Sequence, residues 1–213
     1  MSRAAGARHA GLRSRALSWA RVSAAPTPPP AADPGARRSL RARLRGGPIA
    51  RAIARVDVRL YRLLREDAQS ARFEQPIRRF SRLGEHAGVW LALGATGAAV
   101  DAPRRERWMR AAGAVLVAYL LNTALKLVVR RKRPHLERLP ALISTPTSLS
   151  FPSAHASSSF AAARAYSALM PGAPLYAVAT AMALSRVYLG VHYPSDIAAG
   201  ALLGTAVGAA GRR

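Results

Sequence analysis

Six polar residues lie where long apolar segments of this sequence begin or end: Lys126, Arg133, His155, Arg186, His192 and Asp196. Ionisable groups in or beside apolar, membrane-like segments are costly unless they are paired or functional. If those segments are helices that alternate in direction, all six residues reach the same end of the bundle. The sequence therefore predicts one composite site, built from three cations, two histidines and one carboxylate.

These residue types are suited to phosphoryl transfer. The cationic side chains of Lys126, Arg133 and Arg186 can match the three peripheral oxygens of a phosphate group and the charge that these oxygens carry in the transition state. A helix that begins after Pro152-Ser153 would add free backbone N–H groups and a favourable dipole at the same place.

Two histidines and an aspartate can supply the nucleophile and the acid. His192 and Asp196 are four residues apart, so one helical turn brings the carboxylate to the imidazole. There the carboxylate would fix the tautomer and stabilise the positive charge that develops when the ring attacks phosphorus. His155 is left to protonate the departing oxygen. The few acidic residues after position 84 form no cluster suited to magnesium, so we expect neither a metal nor another cofactor.

The composition narrows the range of settings and partners. The chain has no cysteine, which excludes disulfides, thiolate catalysis and zinc bound by cysteine. Its formal net charge of +23 indicates an anionic partner: a nucleic acid, an acidic membrane surface or a phosphorylated substrate. Only one aromatic residue, Trp19, occurs in residues 1–48, which leaves little for stacking on bases. We therefore expect no specific nucleic acid partner, and an arginine-rich, membrane-anchored binding protein is the non-enzymatic alternative.

Five apolar segments are the elements that must position the site. They predict transmembrane helices at roughly 85–101, 108–128, 154–170, 174–190 and 195–211. Several are shorter than the ~20 residues of a full span, so a soluble helical core is the alternative interpretation. Their Ala and Gly residues permit close helix packing in lipid, and together they leave almost no polar face for water. The pattern favours an all-α, polytopic membrane helix bundle with about five spans.

The part of the chain before these segments has a different character. Residues 1–48 are rich in Arg, Ala and Pro and predict a disordered basic tail. Residues 49–83 predict basic amphipathic helices, because apolar residues recur at helical spacing between arginines in 50–66. That pattern is typical of helices that lie on an anionic membrane surface. Residues 84–213 are the predicted membrane catalytic domain.

Three motifs resemble the signature of the type 2 phosphatidic acid phosphatase (PAP2) superfamily. They are K-x6-RP (Lys126 to Pro134), PSxH (Pro152 to His155) and SR-x5-H-x3-D (Ser185 to Asp196), and they occur in that order. One departure is Ala154, where the family usually has glycine. The resemblance implies a metal-independent phosphatase that works through a phosphohistidine intermediate.

The same resemblance implies a role for each motif residue. The implied catalytic residues are His192 as the nucleophile, Asp196 as its partner and His155 as the acid. The residues implied to bind phosphate are Lys126, Arg133, Ser153 and Arg186.

Several longer stretches are most similar to one branch of the superfamily. "GEH" at 84–86, "STPTSLSFPSAHASS" and "SRVYLGVHYPSDIAAG" look like the actinobacterial decaprenylphosphoryl-phosphoribose phosphatases. Those enzymes remove a 5-phosphate from a lipid-linked ribose that is used to make cell-wall arabinan. The resemblance implies a polyprenylphosphoryl-5-phosphoribose as the substrate, with polyprenyl diphosphate or phosphatidylglycerophosphate as alternatives.

Three further residues are candidates for supporting roles. Glu85 and His86 begin the first predicted span at the same face as the site, and Asn122 lies one helical turn before Lys126. Asn122 is expected to bond to a neighbouring helix rather than to substrate. The remaining basic residues that follow the second span are interpreted as ordinary charges at the membrane interface: Arg130, Arg131 and Lys132.

The distribution of charge predicts the orientation. Lys and Arg are concentrated on the cytoplasmic side of membrane proteins, and both 1–83 and 130–152 are strongly basic. Two predicted spans separate these segments, so both can lie in the cytoplasm. We therefore predict a multi-pass plasma-membrane protein whose active site faces the cytoplasm. The sequence leaves the oligomeric state open.

Overall fold

A computed structural model describes residues 47–66 and 70–212 of the chain. Residues from Pro48 onward form one compact unit. The predicted disordered tail, residues 1–48, lies almost entirely outside the described residues, so it stays a prediction.

Within the described residues, every regular element is a helix, which confirms the predicted all-α class. The seven α-helices are α1 (Pro48–Glu66), α2 (Ala71–Leu83), α3 (Gly88–Val100), α4 (Arg105–Val129), α5 (Ala154–Tyr166), α6 (Gly172–Tyr188) and α7 (Pro194–Ala210). Two short 3-10 turns precede α3 and α4, at Glu85–Ala87 and Ala102–Arg104.

The helices α3 to α7 follow the five apolar segments, with differences at their ends. The predicted segment 154–170 is helical only to Tyr166, because the chain then turns toward Pro171-Gly172. The predicted segment 85–101 begins with a 3-10 turn instead of an α-helix, since His86 and Ala87 have left-handed backbone angles, with φ of 53° and 60°. Such angles are uncommon outside glycine, so the α-helix can begin only at Gly88.

One helical stretch among the described residues, Ala102–Val129, is long and apolar enough to cross a membrane. The outer surface of α4 is apolar over most of its length, with exposed side chains at Leu116, Val117, Leu120, Leu121, Leu127 and Val128. The other apolar helices have 13 or 17 residues, which is fewer than the ~20 that a full span needs. The five-span count therefore stays a prediction.

Helix α5 lies at the centre of the unit and packs against α4, α6 and α7. Its sequence is mostly Ala and Ser, and nearly all of it is buried. Helix α7 approaches it closely through glycines at four-residue spacing: a Cβ at Gly200 would lie 2.6 Å from the Ser153 carbonyl oxygen, and one at Gly204 would overlap that of Ser157. The small residues that indicated close helix packing thus lie on the α5–α7 contact.

Helix α1 docks on the unit through a polar stripe. Its buried residues, Asp57, Tyr61 and Arg65, recur every four positions and face the other helices. Its apolar residues lie on the other faces and are exposed: Ile49, Ile53, Val56, Leu60, Leu63 and Leu64. The helix is amphipathic as predicted, but its polar stripe, rather than its apolar face, contacts the protein.

Candidate active site

A cavity of about 560 Å³ lies where the end of α4, the start of α5 and the α6–α7 connection meet. Its lining includes five of the residues that the sequence singled out: Lys126, Arg133, His155, Arg186 and His192. Asp196 lies behind His192 and is fully buried. The structure thus brings together at one place residues that are up to 70 positions apart in the chain.

The start of α5 is held beside this cavity by the start of α7. Ser153 precedes the helix, and its backbone N–H donates to the carbonyl oxygen of Asp196 at 3.0 Å. The Ser153 side chain is fully buried, and its hydroxyl has no hydrogen-bond partner in the described part of the chain. The first backbone N–H groups of α5 therefore lie at the same end of the bundle as the cavity.

Lys126 is fixed by backbone carbonyl groups of the loop before α5. Its Nζ donates to the oxygens of Leu149 and Ser150 at 3.3 Å each, and to that of Pro152 at 3.1 Å. The ammonium group is therefore held at the cavity wall by neutral partners, so its positive charge is not cancelled by a contacting carboxylate.

Arg133 contacts both the loop and the candidate nucleophile. Its Nε donates to the Thr147 carbonyl at 2.8 Å and its Nη1 to the Val191 carbonyl at 2.7 Å, while Nη1 lies 3.3 Å from Nε2 of His192. Burial lowers the pKa of Arg133 to about 10. The guanidinium is therefore still charged at neutral pH.

His192 is buried between a carboxylate and the cations. Its Nδ1 lies 3.5 Å from Oδ2 of Asp196, which is longer than a good hydrogen bond. The predicted helical turn begins here, and the Tyr193 backbone N–H donates to the same Oδ2 at 2.9 Å. Burial, followed by the nearby cations, holds the pKa of His192 well below its usual value. The ring is therefore neutral at neutral pH, as a nucleophile must be.

Helix α2 contributes a residue that the sequence did not indicate. The Ser81 hydroxyl accepts a hydrogen bond from Nη1 of Arg186 at 2.6 Å, and its carbonyl oxygen lies 3.1 Å from Nε2 of His155. Ser81 is buried, and it contacts both Arg186, a candidate phosphate-binding residue, and His155, the candidate acid. No sequence signal pointed to it, because it lies in a charged stretch that resembles the rest of 71–83.

The three supporting candidates are placed in two different ways. Glu85 and His86 line the cavity, together with Tyr119 and Thr123 of α4. Asn122 is fully buried and donates to the Ser157 hydroxyl at 2.9 Å, so it links α4 to α5 as expected.

Arg131 is not an ordinary interfacial charge, and that interpretation was wrong. Its guanidinium donates to Asp196 at 3.0 Å and to Asp57 of α1 at 2.7 Å. A signal was present in the sequence: Asp57 is the only acidic residue among the first four turns of α1 and shares a helix face with Tyr61 and Arg65. What that face contacts could not be deduced from its spacing.

Among the residues that the structure describes, no three His, Cys, Asp or Glu side chains converge in a way that could hold a metal ion. Independence from metal ions remains a prediction for experiment.

The chain is similar to known proteins in both sequence and structure. A family model described as the PAP2 superfamily matches residues 107–213. Over 147 residues the chain is 44% identical to a decaprenylphosphoryl-5-phosphoribose phosphatase of Mycobacterium tuberculosis, which covers 66% of this chain and 82% of that protein. A protein of the same name from Mycolicibacterium smegmatis is 42% identical over 58% of this chain and 68% of its own length.

Two crystal structures have a similar fold. LpxE of Aquifex aeolicus superposes with a TM-score of 0.64 and 26% identity, over 73% of this chain and 94% of that one. A transmembrane PAP2-type phosphatidylglycerolphosphate phosphatase of Bacillus subtilis superposes with a TM-score of 0.61 and 20% identity, over 82% and 91% of the two chains.

Proposed function

Because this chain belongs to the PAP2 superfamily and is a phosphatase of that family, we propose that its cavity hydrolyses a lipid-linked phosphate through a phosphohistidine. The observation that carries the proposal is the convergence of three cationic side chains and a buried neutral imidazole on one cavity. Cations there can bind a phosphate, and the imidazole supplies a nucleophile within their reach.

In the proposed first step, Lys126, Arg133 and Arg186 bind the phosphate oxygens, with Ser153 and the N–H groups of α5 adding donors. Nε2 of His192 attacks phosphorus, the bond from phosphorus to the ester oxygen breaks, and His155 gives its proton to that oxygen. Asp196 stabilises the positive imidazole ring.

In the second step, His155 takes a proton from a water molecule that attacks phosphorus. The phosphorus–nitrogen bond breaks, inorganic phosphate leaves, and His192 is again neutral. The position of Asp196 beside Nδ1 supports this scheme because it leaves Nε2, on the side of Arg133, as the attacking atom.

We propose a polyprenylphosphoryl-5-phosphoribose as the substrate, by analogy with the mycobacterial relatives. Two features support a substrate that is polar at one end and apolar at the other. Beyond the cations, the cavity wall carries polar side chains from Glu85, Thr123 and the 144–147 loop, which suit a sugar. Tyr119 and Thr123, which also line the cavity, belong to α4, and the outer face of that helix carries exposed apolar side chains.

Phosphate release from a panel of purified lipid phosphates tests this choice. The panel contains a polyprenylphosphoryl-5-phosphoribose, a polyprenyl diphosphate and phosphatidylglycerophosphate, all in one detergent. We expect the highest kcat/KM for the phosphoribose lipid. If either alternative were hydrolysed equally well or better, the phosphoribose lipid would be excluded as the preferred substrate. The phosphohistidine mechanism would not be affected.

We further propose the five-span topology, with α1 and α2 against an anionic membrane surface and the active site on the cytoplasmic side. The exposed apolar side chains of α1 and α4 support it. The chain has no cysteine, so a single introduced cysteine can be labelled without background. Ser144→Cys, at the site end, should resist an impermeant maleimide in intact cells, whereas Gly172→Cys, at the start of α6, should react. The reverse pattern would place the site outside.

A further inference from the structure

Helix α1 places a buried carboxylate next to the start of α7. Asp57 is 2% exposed. Its Oδ1 accepts from the Ser195 backbone N–H at 2.8 Å, and its Oδ2 accepts from the Ser195 hydroxyl at 2.6 Å and from Nη2 of Arg131 at 2.7 Å. Both carboxylate oxygens therefore accept hydrogen bonds, and all the donors lie outside α1. The carboxylate thus links α1 to Ser195 at the start of α7 and to Arg131.

Arg131 connects this carboxylate to Asp196. Its Nη1 donates to Oδ1 of Asp196 at 3.0 Å and to the Ser195 hydroxyl at 2.6 Å. Its guanidinium carbon lies 4.3 Å from the centre of the Tyr193 ring. Because the N–H groups of a guanidinium form a rigid planar fork, one arginine can hold two carboxylates in a set orientation. Asp57 thus sets the orientation in which the guanidinium of Arg131 contacts Asp196.

The two oxygens of Asp196 consequently have different partners. Oδ1 accepts from Arg131, whereas Oδ2 accepts from the Tyr193 backbone N–H at 2.9 Å and faces Nδ1 of His192 at 3.5 Å. Rotation of the carboxylate would move Oδ2 away from the imidazole, but it would also break the contact with Arg131. The ion pair therefore keeps Oδ2 directed at His192.

We propose that Asp57 and Arg131 are positioning residues for the Asp196–His192 pair. This inference rests on the proposed function, since it takes His192 as the nucleophile. Asp57 acts through Arg131, and Arg131 acts through Asp196, so neither has to touch the phosphate. Loss of either removes the contact that holds Oδ1, so the Asp196 carboxylate is oriented only by its remaining partners, and the imidazole loses part of the support for the charge that it gains during attack.

The test uses the full chain and measures kcat and KM with a polyprenylphosphoryl-5-phosphoribose, together with phosphoenzyme trapped by rapid acid quench. Asp57→Asn and Arg131→Gln should each lower kcat by roughly tenfold, with KM within about twofold of wild type. In the double variant, kcat should be no lower than in the single variant with the lower kcat, because both residues act through one contact.

The matched control is Tyr61→Phe. Tyr61 lies on the same buried stripe of α1 and donates to the Gly190 carbonyl at 3.2 Å, but the Asp57–Arg131–Asp196 contacts do not include it. Its kcat should stay close to wild type even if its melting temperature falls. A loss of kcat equal to that of Asp57→Asn would assign the effect to docking of α1 in general, and would overturn the proposal.

Two further outcomes would also overturn the inference. Multiplicative losses in the double variant would mean independent roles, and a raised KM with unchanged kcat in Arg131→Gln would mean contact with the phosphate. Should Asp57→Asn not fold, Arg131→Gln still tests the inference: a lowered kcat with an unchanged KM supports the positioning role, and a raised KM with an unchanged kcat overturns it. Failure of the proposed function would give a different result, because the wild-type protein would then form no phosphohistidine. If the wild-type protein forms the phosphoenzyme and Asp57→Asn has an unchanged kcat, only the inference is contradicted.

Discussion

At its C-terminal end, helix α4 carries Lys126 into a region of buried charge, whereas at its N-terminal end it packs Trp108 among apolar and aromatic groups. The two residues are separated by 18 positions, or about 27 Å at 1.5 Å per residue. At the Lys126 end, cations meet around a cavity with few direct ionic partners. At the Trp108 end, the indole ring is 5% exposed and lies 5.5 Å from the Tyr166 ring.

This difference indicates that the two ends serve different purposes. Buried cations near one another repel and cost desolvation energy, so their arrangement is best explained by an anion that binds among them. Close packing of large apolar groups, in contrast, contributes directly to stability. Substitutions at the cavity end should therefore reduce catalysis more than stability, and substitutions at the Trp108 end should do the opposite.

The largest effect is expected for His192→Ala. Turnover should fall by at least about 10⁴-fold, since the nucleophile is removed and only binding and electrostatic effects remain. Phosphate release and the trapped phosphoenzyme are the two measurements. His135 is an exposed histidine in the segment between α4 and α5. His135→Ala is therefore the matched control and should keep near wild-type turnover. Normal phosphoenzyme in the His192 variant would assign the nucleophile elsewhere.

The next largest effect is expected for Arg186→Gln. Loss of one buried cation from the phosphate site should lower kcat/KM by about 10²–10³-fold, because the lost interaction is strongest in the transition state. Ser81→Ala removes the hydroxyl that accepts from Arg186 but keeps the cation, and should cost much less. Measurement of kcat/KM for both variants separates the effect of the Arg186 charge from the effect of its hydrogen bond to Ser81. Equal losses of kcat/KM would contradict the role assigned to the charge.

A glycine pair tests the opposite end of α4. A Cβ at Gly97 would overlap the Trp108 ring, whereas a Cβ at Gly113 has nothing within 4 Å. Gly97→Ala should therefore destabilise the protein by about 1–3 kcal/mol through overpacking, and Gly113→Ala should be neutral or stabilise it by up to about 1 kcal/mol. Thermal unfolding in detergent measures this, and kcat of the folded protein should change little in both. A large loss of kcat without a loss of stability in Gly97→Ala would contradict the comparison.

The smallest effect concerns the pH dependence of stability. Burial and the nearby cations lower the pKa of His192 in the folded protein, whereas the unfolded chain has an imidazole pKa of about 6.5. As the pH falls below that value, the unfolded chain takes up the proton first. Folded-state stability is then lost at up to about 1.4 kcal/mol per pH unit.

The melting temperature of wild type should accordingly fall more steeply between about pH 6.5 and pH 5 than that of His192→Gln, which cannot titrate at this position. All other titratable groups are common to the two proteins, so the difference in slope reports His192. Parallel curves would mean that the pKa of His192 is the same in the folded and the unfolded protein.

Much of this architecture could be predicted because helical segments restrict geometry. The apolar runs located α3 to α7 to within a few residues, and alternation of helix direction was enough to bring Lys126, His155 and His192 to one end. Where the prediction differed, a local backbone feature was responsible, such as the left-handed angles at His86 and Ala87. These depend on how Glu85–Ala87 is held between α2 and α3, which apolar periodicity does not describe.

The sequence by itself determined the helices, the residue types of the site and their common end of the bundle, because helical spacing and hydrophobicity are local properties. Only the tertiary structure decided what the polar stripe of α1 and the end of α2 contact. The pairs Asp57–Arg131 and Ser81–Arg186 are 74 and 105 residues apart. Helical periodicity shows which residues share a face, but the partner of that face depends on how the whole chain packs.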